Sequence, residues 1–132
     1  MGTSIKPRLL KGFRDYPPAE VLSRRRMMES VRTIFERYGF SPLETPAIEP
    51  IDILLGHGAE SNKQIYRFTD AEENEVGLRF DLTVPLARFV AMNRELPRPF
   101  KRYQAAPVWR ADKPDPGRFR EFIQFDIDTV GS

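Results

Sequence analysis

The sequence predicts an α+β fold, an antiparallel β-sheet flanked by helices. Three observations carry it. Segment 19–38 repeats apolar residues at helical spacing. Segments 65–68 and 76–82 have strand composition and flank an acidic turn, which makes them a hairpin. Two longer strand candidates, 100–110 and 119–130, flank a loop containing Pro114, Pro116 and Gly117. With 132 residues, 40% of them hydrophobic, the chain can bury one core, so a single domain over 1–132 is expected.

The elements follow in order. Pro17-Pro18 before Ala19-Glu20 starts the first helix, since proline is tolerated in a first turn and an acid is favourable there. Val21, Met28, Val31, Phe35 and Tyr38 form its inward stripe, and Gly39 stands where a helix is usually ended. Segment 40–45 reads as a strand closed by Pro46, and 51–55 as a short helical piece ended by Gly56. Segment 57–64 reads as a polar loop, with His57 exposed in Gly56-His57-Gly58 and given no chemistry. Thr83 is positioned to cap a helix that has Pro85 in its first turn and Leu86, Phe89 and Val90 turned inward. Pro97 and Pro99 then interrupt the chain before the two long strands.

Composition excludes several chemistries. There is no cysteine, hence no disulfide framework, thiolate zinc site or cysteine nucleophile, and one histidine supports no multi-histidine metal site. No apolar run reaches the roughly 18 residues of a membrane span, and residues 1–11 lack the apolar stretch of a secretion signal. The expectation is a soluble, cytoplasmic protein with no membrane partner and no metal ligands. Net charge is only +2, but residues 94–120 carry eight basic against three acidic groups. An arginine-rich concentration of that kind suits an anionic ligand, most often phosphate; an ordinary solvated basic surface is the alternative.

Strand parity sharpens this. Residues of one parity share a face. Phe119, Ile123, Phe125 and Ile127 make an apolar face expected in the core, whereas Arg120, Phe122, Gln124, Asp126 and Asp128 lie opposite. Val76, Leu78, Phe80 and Leu82 oppose Arg79, Asp81 and Thr83, and Arg102, Gln104, Val108 and Arg110 share a side. A merely solvated β face is mostly Thr, Lys, Ser and Glu. Arginine, carboxylate, amide and an aromatic together suit a zwitterionic or phosphorylated small molecule. Among the bland alternatives, Asp126 reads as a cross-strand ion pair with Arg120, Arg79 as a partner orienting Asp81, Trp109 as core, and Arg24 to Arg26 as a solvated helix face.

These residues resemble a known family. Val108-Trp109-Arg110-Ala111-Asp112, a loop, and Arg118-Phe119-Arg120-Glu121-Phe122-Ile123-Gln124 are similar to motif 2 of class II aminoacyl-tRNA synthetases, about 104–130. The helix ending Arg37-Tyr38-Gly39-Phe40, with Glu44-Thr45-Pro46, resembles motif 1, about 19–46. Lys11-Gly12-Phe13-Arg14-Asp15, Leu78-Arg79-Phe80-Asp81-Leu82-Thr83-Val84-Pro85 and Gln124-Phe125-Asp126-Ile127-Asp128 narrow the resemblance to histidyl-tRNA synthetases. Together the motifs cover residues 11–132 in the family's order.

The resemblance implies an incomplete class II catalytic core that uses ATP, with Mg2+, to turn histidine into histidyl-adenylate and then acylates tRNA(His). It implies that Arg110 holds the α-phosphate and is catalytic, and that Arg118 contacts the ATP tail. Asp112 stands at the adenine edge, where the family commonly has glutamate, and Phe122 stacks on adenine. Asp81, Thr83 and Gln124 would bind the amino group of histidine, Asp128 would accept from the imidazole, and Arg110 would also belong to the histidine site. A homodimer through motif 1 is implied. A second histidine-recognition motif, motif 3 and an anticodon-binding domain would lie beyond residue 132, leaving the last strand as an open edge. Two rivals stay open: a non-catalytic paralogue sensing histidine, like the regulatory subunit of ATP phosphoribosyltransferase, and a basic RNA-binding module.

Overall fold

The computed structural model describes residues 4–56 and 63–131; the expectation for His57 falls outside them. Helix α1 spans Pro18–Arg37, with Pro18 in its first turn. It ends in two reverse bonds, Gly39 N–H to the Glu36 carbonyl and Phe40 N–H to the Phe35 carbonyl, both 3.1 Å. Gly39 supplies the φ of +85° that this ending requires. The turn lays Phe40 against Phe35, their ring centroids 6.2 Å apart. None of the twenty helical residues is buried.

The next strands are β1 (Ser41–Pro42) and β2 (Ile48–Pro50), followed by helix α2 (Ile51–Leu55). β3 (Arg67–Thr69), β4 (Glu75–Leu78), helix α3 (Thr83–Met92), β5 (Phe100–Trp109) and β6 (Glu121–Val130) complete the order. They form two three-stranded sheets, β1-β5-β6 and β2-β4-β3. All pairs are antiparallel except β1 with β5, which is parallel.

Several expectations change here. The strand foreseen at 40–45 shrinks to Ser41–Pro42. Pro42 has no N–H to give, and Thr45 turns away, its carbonyl accepting from Arg79 Nη1 at 2.7 Å and its hydroxyl from Gln104 Nε2 at 3.0 Å. The strand foreseen at 76–82 stops at Leu78. From there Arg79 N–H bonds the Ala47 carbonyl at 2.9 Å, and the chain bends into α3. β2 is absent from the sequence reading, because three residues ending in proline show no alternation. Thr83 is the first residue of α3 rather than its cap; Asp81 Oδ1 accepts the Val84 N–H at 3.1 Å instead.

The core lies between the small sheet, α2 and α3, with Leu54, Ile65, Val76, Leu82 and Leu86 buried, and continues to Tyr103 and Val108 on β5. Full burial of each such side chain contributes about 1.5–3 kcal/mol. Gly77 lets β4 approach α2: a Cβ there would lie 2.7 Å from Ile65 Cγ2 and 3.0 Å from Leu54 Cδ1.

β5 and β6 pair over ten residues, from Phe100 opposite Val130 to Trp109 opposite Glu121. α1 covers one face of this ribbon, Phe35 meeting Tyr103 and Phe125 at centroid distances of 6.1 and 5.6 Å. The Glu36 carboxylate accepts from the Tyr103 hydroxyl and from Arg32. The apolar face of β6 is nevertheless not core. Ile123 and Ile127 are each 39% exposed, and Phe119 is exposed before the strand begins, because α1 reaches only the Phe125 part of it. β6 is an edge of its sheet among the described residues, as expected. Among those residues no helix is long and apolar enough to cross a membrane.

Candidate functional site

The face of the ribbon opposite α1 holds the candidate site. Register places Arg102 opposite Asp128, Gln104 opposite Asp126, Ala106 opposite Gln124 and Val108 opposite Phe122. The pleat therefore gathers two arginines (with Arg110 just past β5), two amides, two carboxylates and an aromatic on one surface.

At one end a cleft of about 460 Å³ is lined by Gln64, Arg110, Asp112, Arg118, Phe119 and Phe122, among others. All four residues expected at a nucleotide are thus together. Arg110 is aimed by a bond from Nε to the Phe80 carbonyl at 3.1 Å, and its guanidinium carbon lies 5.2 Å from the Phe122 ring centroid. Its backbone N–H bonds the Arg120 carbonyl at 2.8 Å, closing the base of the 111–118 loop. Arg118 and Asp112 are exposed on that loop. Arg120 N–H bonds the Gly12 carbonyl at 2.7 Å, which fastens the Lys11–Asp15 stretch to the ribbon.

The other end is carboxylate-rich. Asp81, between β4 and α3, has its carboxyl held above the ordinary value, mainly by burial and also by the Asp126 charge. N–H donation from Val84 and Thr83 and the Arg110 charge act the other way. Asp81 thus feels both Arg110 and Asp126, which ties the α3 start to both strands. Gln124 Oε1 and Gln104 Oε1 are buried without a protein hydrogen-bond partner. Asp128 pairs with Arg102, Oδ2 to Nη2 at 3.0 Å, while remaining 39% exposed. Thr83 lies exposed at the first residue of α3, beside Asp81 in sequence.

Three bland expectations are corrected. Asp126 makes no ion pair with Arg120; it stands opposite Gln104, and Arg120 donates to the Asp112 and Lys11 carbonyls, both at 3.2 Å. Arg79 does not orient Asp81. It is buried and donates to the Pro107 and Thr45 carbonyls at 2.9 and 2.7 Å, clamping the small sheet to β5. Trp109 is half-buried rather than core, its indole N–H given to Glu121 at 2.6 Å. Arg25 and Arg26 are exposed as expected, whereas Arg24 lies over the Tyr16 ring at 4.8 Å. The sequence reading gives two residues here no role: Gln64, which carries no local signal, and Arg102, which it places on the side of Arg110 and which stands directly across from Asp128.

Comparison with known proteins agrees with the motifs. Residues 12–132 match the family described as histidyl-tRNA synthetase. A histidine–tRNA ligase of Rhodopirellula baltica is 52% identical over 130 residues, 97% of this chain and 29% of that protein. One of Treponema denticola is also 52% identical, over 100% of this chain and 30% of that protein. The chain thus spans about 30% of the length of these curated relatives. The crystal structure of histidyl-tRNA synthetase from Nostoc sp. PCC 7120 superposes with a TM-score of 0.82 at 37% identity, over 95% of this chain and 29% of that one. A Bacillus halodurans protein titled ATP phosphoribosyltransferase regulatory subunit/histidyl-tRNA synthetase superposes at 0.84 with 23% identity, over 100% of this chain and 34% of that one, and shares the fold. With the family match over residues 12–132 and relatives at about half identity in agreement with the motif order, the chain belongs to the histidyl-tRNA synthetase family.

Proposed function

We propose that this chain forms the ATP- and histidine-binding part of a histidine–tRNA ligase catalytic domain. One observation carries the reading: Arg110 joins the two ends of the site, lining the nucleotide cleft beside Phe122 while its charge reaches Asp81. Adenine would stack on Phe122, and Arg118 would meet the phosphate tail, with Mg2+ arriving as part of the nucleotide substrate. The ammonium of histidine would lie by Asp81, Thr83 and Gln124, its imidazole N–H by Asp128. The histidine carboxylate oxygen attacks the α-phosphorus, a P–O bond forms as the bond to pyrophosphate breaks, and Arg110 offsets the negative charge that builds there. The acyl group then passes to tRNA(His), in the cytoplasm, from an enzyme dimeric through α1 and β1.

Calorimetric titration tests the binding claim. The expected result is ATP binding, histidine binding, and each tightened by the other. Histidine binding without any effect of ATP would favour a histidine sensor, which has no use for an arginine-lined nucleotide cleft. Histidine-dependent pyrophosphate exchange tests turnover, expected to be slow for this chain. A rate equal to buffer from the folded chain would remove stand-alone catalysis.

A further inference from the structure

Arg102 ties the carboxylate-rich end of the site together. It lies on β5 with 0% of its surface exposed. Its Nη2 donates to Asp128 Oδ2 at 3.0 Å and to the Leu82 carbonyl at 3.2 Å. Leu82 sits between Asp81 and Thr83 and is itself fully buried. A single nitrogen thus links the start of α3 to the outer strand of the ribbon. Nε and Nη1 have no partner, so the guanidinium is buried with much of its hydration unreplaced.

That arrangement is a poor way to stabilise a fold. An apolar side chain of similar volume often serves a core as well or better than a buried ion pair. What Arg102 supplies instead is a fixed separation. Without it, the part-exposed Asp128 carboxylate has water as an alternative partner, and nothing on β5 holds its rotamer. The Leu82 carbonyl likewise loses its donor from the ribbon.

We propose that Arg102 is a positioning residue that sets the distance between the ammonium end of the site, at Asp81 and Thr83, and the imidazole acceptor Asp128. The inference rests on the histidine reading given above. Arg102 acts through Asp128 and Leu82 and does not itself touch the ligand. It therefore belongs to amino-acid selection and not to nucleotide binding.

Titrations of the chain and of Arg102→Met, Arg102→Lys, Asp128→Asn and the Arg102→Met/Asp128→Asn double variant, with histidine and with ATP separately, test it. Arg102→Met should weaken histidine roughly tenfold or more, the scale of one charge-assisted hydrogen bond. ATP affinity should change less than about twofold, because the nucleotide cleft is not touched. Arg102→Lys keeps the charge without the planar fork and should recover part of the loss. In the double variant the two losses should not add, since both remove one contact. If Arg102→Met does not fold, Arg102→Lys carries the same requirement of a loss confined to histidine. Unchanged histidine affinity, or equal losses for histidine and ATP, would overturn the inference. A parent chain that binds ATP but no histidine would overturn the proposed function and this inference with it.

Discussion

The Asp81 carboxylate accepts the backbone N–H of Val84 at 3.1 Å, so this acid of the candidate site also holds the first turn of helix α3. Burial holds its carboxyl above the ordinary value of 3.8, with the Val84 bond and Arg110 pulling back. An acid of this kind binds its proton more tightly folded than unfolded. Its contribution to stability is full below 3.8 and is lost as pH rises through the raised folded value. Asp81→Asn keeps a cap acceptor and removes the titration. Measured by urea unfolding at a series of pH values, the stability of the Asn variant relative to the parent should increase through the acid range and then level. A flat or opposite trend would count against the buried placement of Asp81. Asp81→Ala should cost about 1 kcal/mol more than Asp81→Asn, the usual worth of a cap.

The Arg110 guanidinium carbon lies 5.2 Å from the Phe122 ring centroid, and both residues line the proposed nucleotide cleft. Phe122→Leu keeps an apolar side chain but removes the π face that a base or a guanidinium can use. Base stacking is worth about 1–3 kcal/mol, so ATP affinity should fall about tenfold in a titration that leaves histidine affinity within about twofold. An equal loss for both ligands would mean that Phe122 supports the sheet and not the nucleotide.

Much of this architecture was legible in residue order. Helical spacing ending at Gly39 marks α1, and the acidic turn marks the β3–β4 hairpin. The β5–β6 pair follows from two long strand candidates and a Pro/Gly loop, and parity then groups the polar residues of the candidate site on one face. Burial was harder to read. Alternation shows that β6 has an apolar face, but only α1's short reach decides that Ile123 and Ile127 stay exposed. Arg79 and Arg102 are both buried, which contradicts the usual habit of arginine, because carbonyls and Asp128 from distant segments meet them. Those partners are set by tertiary crossings with no local trace. The same holds for Glu49, whose partner Arg88 lies 39 residues away.

Gly77 sits where β4 crosses α2 and the 65–66 segment. A Cβ would meet Ile65 Cγ2 at 2.7 Å and the Tyr66 carbonyl at 3.0 Å. The carbonyl cannot withdraw, because it accepts the Leu78 N–H at 2.8 Å. Gly77→Ala should therefore destabilise by about 1–3 kcal/mol, the usual cost of overpacking. Chemical denaturation measures it. An unchanged midpoint would mean that the hairpin is looser than the contact distances imply.

Met27 and Ile34 form an exposed apolar stripe on α1 that continues to Tyr38 at its C-cap; helical spacing predicts Tyr38 inward, but it lies past the last helical turn and is exposed. The proposed homodimer through α1 would cover this stripe. Sedimentation equilibrium should find the parent dimeric and Ile34→Asp monomeric, with the same helical signal in circular dichroism. A monomeric parent at all concentrations would remove the dimer through α1.

Glu49 is 2% exposed, and its Oε1 accepts from Arg88 Nε at 2.8 Å, joining β2 to α3. Its Oε2 has no partner, although the Arg79 charge lies close enough to be felt. Removing one member of such a pair strands the other without water. Arg88→Met should therefore cost about 3 kcal/mol, less if Arg79 moves to replace the lost charge. Glu49→Gln/Arg88→Met removes both charges, so it should be clearly more stable than Arg88→Met alone. Urea unfolding of the parent, Glu49→Gln, Arg88→Met and the double variant forms a double-mutant cycle whose coupling energy isolates the pair. Additive losses would mean that Glu49 is held by Arg79 and the β2 backbone. The Arg88 bond would then contribute nothing to fixing α3, and with it Asp81 and Thr83, over the site.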